Sequence, residues 1–127
     1  MKLRIKENSL RYRVSRSDLV RLMQSGRIEE TIRFAPQPDA TLTYALECSS
    51  AQKEMPVRYQ VQKVTVLLSL EEARRLSEGD EVGLYYTCDF GDGEVLELVV
   101  EKDFACLKDT DADNEDAFPN PNHGVVC

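Results

Sequence analysis

The first half of the sequence alternates apolar and polar residues over short stretches, as half-buried β-strands do. Residues 2–6 and 9–14 both follow this pattern and are separated by Glu7 and Asn8, so they predict a hairpin. Basic side chains occupy the outer face of this hairpin. Its predicted inward positions are Leu3, Ile5, Leu10, Tyr12 and Val14.

Further strands are predicted where β-favouring residues cluster between turn residues. Gly91-Asp92-Gly93 is a strong hairpin turn signal, because glycine adopts a positive φ without steric cost. The last strand is apolar on both faces and is expected in the centre of a sheet. The predicted strands cover 28–34, 41–47, 57–61, 63–68, 81–89 and 94–101, with Ile28, Ile32 and Phe34 pointing inward.

Two short helices are predicted from their start and stop signals. Ser15 with Asp18, and Ser69 with Glu72, have the spacing of a capping box, in which each side chain satisfies the other's backbone. Glycine ends both predicted helices. The apolar stripes that would face the core are Leu19, Leu22 and Met23 in the first helix, and Ala73 and Leu76 in the second; the terminal glycines are Gly26 and Gly79.

The two helical units resemble each other closely enough to suggest an internal repeat. Capping serine and terminal glycine are 11 positions apart in the first unit and 10 in the second, and each unit lies between strands. We therefore expect a pseudo-twofold repeat that forms a small barrel-like sheet, although a capped helix ending in glycine is common enough to arise by coincidence. The predicted class is α+β, mostly antiparallel, with one domain over 1–107 and an extended acidic tail over 108–127.

Charge is distributed unevenly along the 127 residues. The net charge is −7, yet residues 1–33 hold nine Lys or Arg against four acidic residues, and the remainder holds seven against nineteen. Overall acidity argues against dedicated nucleic-acid binding. The basic hairpin face, with Arg4, Arg11 and Arg13, is a candidate anion-binding surface; the alternative is an ordinary solvated strand face.

Localisation is predicted from what the sequence does not contain. No run of 18 or more apolar residues suggests a membrane span, and residues 1–6 alternate charged and apolar side chains, unlike the core of a signal peptide. These features predict a cytoplasmic protein that does not bind membranes. The four cysteines lack any Cys-x-x-Cys spacing, so we expect free thiols rather than a disulfide framework.

Candidate metal chemistry lies beyond the last strand. Asp109, Asp111 and Asp113 match the opening of a calcium loop, but the twelfth position is Asn120 rather than a bidentate glutamate. A solvated acidic tail is the alternative. Cys106 and His123 are a weaker pair, for catalysis or, with Cys127 and a carboxylate, for zinc. A core thiol and a tail histidine are the simpler explanation, and the one we favour.

Two resemblances add to this picture. The segments 2–13, 42–47, 101–106 and 118–121 resemble a family of small uncharacterised bacterial proteins, which implies a cytoplasmic single domain without an assigned activity. The unit 64–82 is similar to the strand–helix–strand unit of AbrB-like swapped-hairpin barrels. Basic side chains usually bind DNA in that family, whereas this half of the chain is acidic, which argues against DNA binding here.

The preferred interpretation is a non-enzymatic binding or interaction module without a cofactor, whose partner is another protein or a second copy of the chain. Its basic hairpin and its acidic tail offer two surfaces, and the tail would dock on the hairpin and regulate access to it. Phe118 would help to anchor the tail in a groove. The alternative is a metal-binding protein or small enzyme that uses the stretch Glu101 to Cys106 and the run Asp109 to Asp113.

Overall fold

The computed structural model describes residues 1–49 and 55–104, together with Asp116 and Phe118. It contains eight strands and two helices within these residues. The strands are β1 (Lys2–Lys6), β2 (Ser9–Val14), β3 (Arg27–Arg33), β4 (Thr41–Ser49), β5 (Val57–Gln60), β6 (Lys63–Ser69), β7 (Gly83–Asp89) and β8 (Val95–Lys102). The helices are α1 (Arg16–Ser25), between β2 and β3, and α2 (Leu70–Glu78), between β6 and β7.

The strands form two four-stranded sheets. Sheet A has the order β1-β2-β8-β7, and sheet B has the order β3-β4-β6-β5. Hairpin neighbours pair antiparallel, whereas the central pairs β2–β8 and β4–β6 are parallel. Each sheet therefore joins one hairpin from the first half of the chain to one hairpin from the second half.

The two halves have the same order of elements and nearly the same spacing. Ser69 follows Ser15 by 54 positions, and both serines complete a capping box. The same step of 54 positions relates the parallel pairs. Ser9 is opposite Glu97, and the residues 54 positions away from these two, Lys63 and Thr43, are opposite each other. The fold is therefore α+β with a pseudo-twofold repeat, as the sequence predicts.

The step changes only after the helices. One residue separates α1 from β3, whereas four residues separate α2 from β7. Ile28 and Leu84 occupy equivalent buried positions, so the step between β3 and β7 is 56 rather than 54. Gly26 ends α1 with a left-handed φ of 79°, but Gly79 ends α2 with a φ of −98° and makes no use of that region.

The core lies where the inner faces of the two sheets and the helices meet. The rings of Tyr12 and Tyr44, one from each sheet, pack edge to face with centroids 6.2 Å apart. Both predicted helix stripes contribute to this core, since Leu19, Leu22 and Leu76 are at most 1 % exposed. Burial of each such side chain stabilises the fold by about 1.5–3 kcal/mol.

Two predictions about the strands are wrong. Within the described residues the strands form two separate sheets and do not close into a barrel. Ile5, Ile32 and Phe34 were expected inside, but they are 61 %, 40 % and 67 % exposed. β1 and β3 are edge strands, and these three residues lie at or just beyond the C-terminal ends of those strands. No helix among the described residues has the length and apolarity to span a membrane.

Candidate anion-binding site

The outer face of sheet A gathers positive charge on its edge hairpin. Arg4 on β1 is directly opposite Arg11 on β2, and Lys6 is opposite Ser9. These four residues line a depression of about 140 Å³. Like charges that face each other across a strand pair destabilise a sheet, so this arrangement favours a bound anion.

The structure separates the basic side chains of this face into two groups. Glu101 on β8 accepts hydrogen bonds from the Nη1 of Arg11 and from the Nε of Arg13, each at 3.0 Å. In the described part of the chain, Arg4 and Lys6 have no carboxylate within ion-pair distance. Arg4 and Lys6 therefore keep their charge available, whereas Arg11 and Arg13 are both paired with Glu101.

The predicted anion-binding residues Arg4, Arg11 and Arg13 thus share one face, and Arg4 and Arg11 line the same depression. Arg13 lies outside the lining of the depression, and Lys6 and Ser9 take part in it. The alternation of β1 places Lys6 on the same face as Arg4, so the pattern contained this signal. The two-residue loop of the hairpin sets the register that brings Lys6 close to Arg11.

The other carboxylates next to this face are also engaged. Asp103 forms an ion pair with Lys2, with 3.0 Å between Oδ2 and Nζ. Glu97 accepts a hydrogen bond from the hydroxyl of Thr87 at 2.9 Å. Glu101 and Asp103, which we considered for catalysis, are thus paired with cations. The other members of that hypothesis, Cys106, His123 and the run Asp109 to Asp113, lie outside the described residues.

No cluster of three or more potential metal ligands occurs among residues 1–49 and 55–104 with Asp116 and Phe118. The calcium and zinc hypotheses rest on residues beyond that part of the chain and stay predictions. Of the described cysteines, Cys88 is a buried free thiol. Burial, helped by the charge of Glu97, raises the pKa of the Cys88 thiol, as is typical of a core cysteine.

Two described residues of the C-terminal segment contact the domain at α1. The backbone N–H of Ser17 donates to Oδ1 of Asp116 at 3.1 Å, and the Ser17 hydroxyl donates to Oδ2. Hydrogen bonds from Ser17 lower the pKa of Asp116. A carboxylate is well placed here, because the first N–H groups of a helix lack partners within the helix.

Phe118 is held next to Asp116 by several groups. Its backbone N–H donates to the carbonyl of Asp103 at 2.8 Å, and its ring packs edge to face against Phe104. The Nζ of Lys102 lies 4.8 Å from the ring centroid and donates to the carbonyl of Gly79. The predicted anchoring role of Phe118 is therefore supported, but its contacts lie beside α1 and not on the basic hairpin.

The shifted acids and phenols belong to the helix starts and the core. Burial raises the pKa of Tyr86. The adjoining Glu72 carboxylate, which accepts a hydrogen bond from the Tyr86 hydroxyl, raises that pKa further. Burial also raises the pKa of Tyr12. None of these groups lines the depression of sheet A. The arrangement there can bind charge, and its described side chains offer cations rather than an acid–base pair.

Comparison with known proteins identifies a family but no activity. A model described as a family of unknown function (DUF7009) matches residues 1–122. No curated protein matches the chain. No solved structure matches it either, so the likeness of residues 64–82 to AbrB-like barrels is unsupported. Because the family model spans nearly the whole sequence, the chain belongs to this family of unknown function.

Proposed function

We propose that the protein is a non-enzymatic binding module, and that the depression on sheet A binds an anionic group presented by a partner protein. The observation that carries the proposal is the opposition of Arg4 and Arg11, with Lys6 alongside. Of these three side chains, only Arg11 has a carboxylate partner among the described residues. An incoming phosphoryl or carboxylate group would relieve the repulsion and accept charge-assisted hydrogen bonds.

The size of the depression sets the scale of the ligand. At about 140 Å³ it suits one anionic group rather than a whole cofactor. The guanidinium of Arg11 is already oriented by Glu101, which reduces the entropy lost when it binds a second oxyanion. Arg4 is free to close over the group from the edge strand.

The test is a titration with inorganic pyrophosphate, followed by the NMR signals of backbone amides. We expect saturable shifts at Glu7 and Asn8, which connect β1 to β2. Arg4→Gln combined with Lys6→Gln should weaken this binding at least tenfold, equivalent to about 1.4 kcal/mol. Arg74→Gln, which removes one exposed charge from α2, is the control for net charge and should leave the affinity unchanged.

Either of two results would contradict the proposal. One is a titration in which the β1–β2 amides do not move. The other is a loss of binding free energy in the Arg74 variant that is about half of the loss in the Arg4–Lys6 variant, because binding would then depend on net charge alone. The acidic run Asp109 to Asp113 lies outside the described residues, and its docking on this face stays a prediction.

A further inference from the structure

The step of 54 positions relates the basic depression of sheet A to a second surface. It carries Arg4 onto Arg58 and Ser9 onto Lys63. The central carboxylate is repeated as well, since Glu101 on β8 corresponds to Glu47 on β4. The outer face of sheet B therefore has a cation on its edge hairpin and a glutamate on the neighbouring central strand, as sheet A has.

A larger cavity lies at this equivalent position. It measures about 650 Å³, and it is lined by Arg27, Glu29, Glu47, Arg58, Gln60, Val61, Lys63 and Thr65. Glu47 accepts a hydrogen bond from Nη1 of Arg27 at 3.1 Å and lies 3.5 Å from Nη2 of Arg58. Lys63 has no carboxylate partner in the part of the chain that the structure describes.

The charges of this cavity leave it able to take an anion. Arg27 is held by both Glu29 and Glu47, so it serves as part of the wall. Arg58 reaches Glu47 only at the longer distance, and its side chain is 44 % exposed. Arg58 and Lys63, on the paired strands β5 and β6, are therefore the two cations available to a ligand.

Backbone strain occurs at the same place in both halves. Glu7 and Val61, which are 54 positions apart, have φ values of 51° and 46°, and Val61 is 83 % exposed. A β-branched residue rarely adopts a positive φ, and residues held in such conformations concentrate at functional sites. Val61 borders the sheet B cavity. Glu7 directly follows Lys6 and lies two positions before Ser9, and Lys6 and Ser9 both line the sheet A depression.

We infer that the cavity on sheet B is a second anion-binding site, in which Arg58 and Lys63 bind an oxyanion of the phosphoryl type. The protein would then bind two anionic groups, one on the outer face of each sheet. This inference rests on the proposed function for the ligand chemistry. It can fail separately, because the two sites have no residue in common.

Inorganic pyrophosphate again serves as the probe. The amides of Gln60 and Gln62 should shift in addition to those of Glu7 and Asn8, and equilibrium dialysis should give two bound ligands per chain. Arg58→Gln with Lys63→Gln should abolish the shifts at Gln60 and Gln62, leave those at Glu7 and Asn8 intact and reduce the stoichiometry to one. Arg4→Gln with Lys6→Gln should have the opposite pattern.

A stoichiometry of one, with shifts confined to the β1–β2 amides, would overturn the second site while the proposed function stands. Absence of both sets of shifts would overturn both proposals. Arg74→Gln controls for net charge and should preserve both sets. Shifts at Gln60 and Gln62 that persist in the Arg58–Lys63 variant would also reject the assignment, because binding would not use these side chains.

Discussion

Asp18 combines a structural role with a buried charge. Its Oδ2 accepts the backbone N–H of Ser15 at 2.9 Å and lies 2.9 Å from the α-ammonium of Met1, while Oδ1 receives Arg21. Burial alone would raise the pKa of this carboxyl, but the Ser15 N–H and the ammonium outweigh that effect. The pKa of Asp18 is consequently lowered, and its ionised form stabilises the fold.

Replacing Asp18 by Asn should therefore make stability less dependent on pH. Asn retains an oxygen for the Ser15 N–H but loses the charge, so we expect a loss of about 3 kcal/mol at pH 7. Because the folded pKa lies below the ordinary 3.8, this contribution is present above pH 3.8 and disappears as the pH falls through the folded value. Urea titrations at pH 7 and pH 3 measure the difference.

The control for that measurement is Arg21→Gln. Arg21 is 57 % exposed, so its loss should cost less than about 1 kcal/mol at either pH. A deficit of the Asp18 variant that is the same at pH 7 and pH 3 would show that hydrogen-bond geometry, not charge, is responsible.

Individual residues could be predicted only where their partners are close in sequence. Asp18 was predicted as part of a capping box with Ser15, three positions away, and the structure confirms it. Its contact with Met1 was not predicted, because β1 and β2 bring the two groups together. The basic site follows the same rule: strand alternation assigned Arg4 to the outer face, but the opposition to Arg11 depends on register.

At the scale of elements, the β5–β6 hairpin has a two-residue loop, Val61 and Gln62, between the pair Gln60 and Lys63. Both loop residues have a positive φ, of 46° and 60°, as a type I′ turn requires. Asn and Gly are the residues that suit such a turn, and Val is among the least suitable. The hairpin is therefore formed against the local preference of its loop.

Replacing Val61 by Asn and Gln62 by Gly should relieve that strain. We expect the double variant to be more stable by about 1 kcal/mol, since each left-handed L-residue costs roughly 1–2 kcal/mol and glycine returns part of the gain as entropy. Thermal unfolding gives the comparison. Val82→Asn, which removes another exposed valine without a positive φ, should bring no gain; an equal gain there would point to surface polarity instead.

Elements whose ends are marked by capping or turn residues were predicted well. Both helices begin at the predicted capping serines, and the predicted hairpin turn over Gly91-Asp92-Gly93 is confirmed. The inward residues of β3 were predicted less well: Ile28 is buried, but Ile32 and Phe34 are exposed. Alternation assigns a residue to a face, and only the packing of the two sheets determines how much of that face is covered.

At the scale of the whole molecule, exchange of hairpins between the halves determines the architecture. The order of elements indicated a repeat, but it did not indicate that β2 pairs with β8 and β4 with β6. Parallel pairing across such distances depends on contacts between residues far apart in sequence, which periodicity does not report. For the same reason, a small barrel-like sheet was expected and two four-stranded sheets are found.

Hairpin exchange predicts how the chain behaves when it is divided. Fragments 1–52 and 53–127 each retain two hairpins and one helix, yet each hairpin loses the partner hairpin that completes its sheet. Isolated two-stranded hairpins are marginally stable in water. We expect each fragment to be unfolded as a monomer, and an equimolar mixture to recover the secondary structure and dispersed amide signals of the intact chain.

The decisive control for this complementation acts on the parallel pairing itself. Leu98 on β8 is 1 % exposed and lies opposite Leu10 on β2. Leu98→Asp in the second fragment should prevent assembly, because the charge would be buried without a partner. A monomeric fragment that unfolds cooperatively by itself would contradict the prediction, since one half would then contain a complete core. Assembly that tolerates the aspartate would equally exclude β2–β8 pairing as its basis.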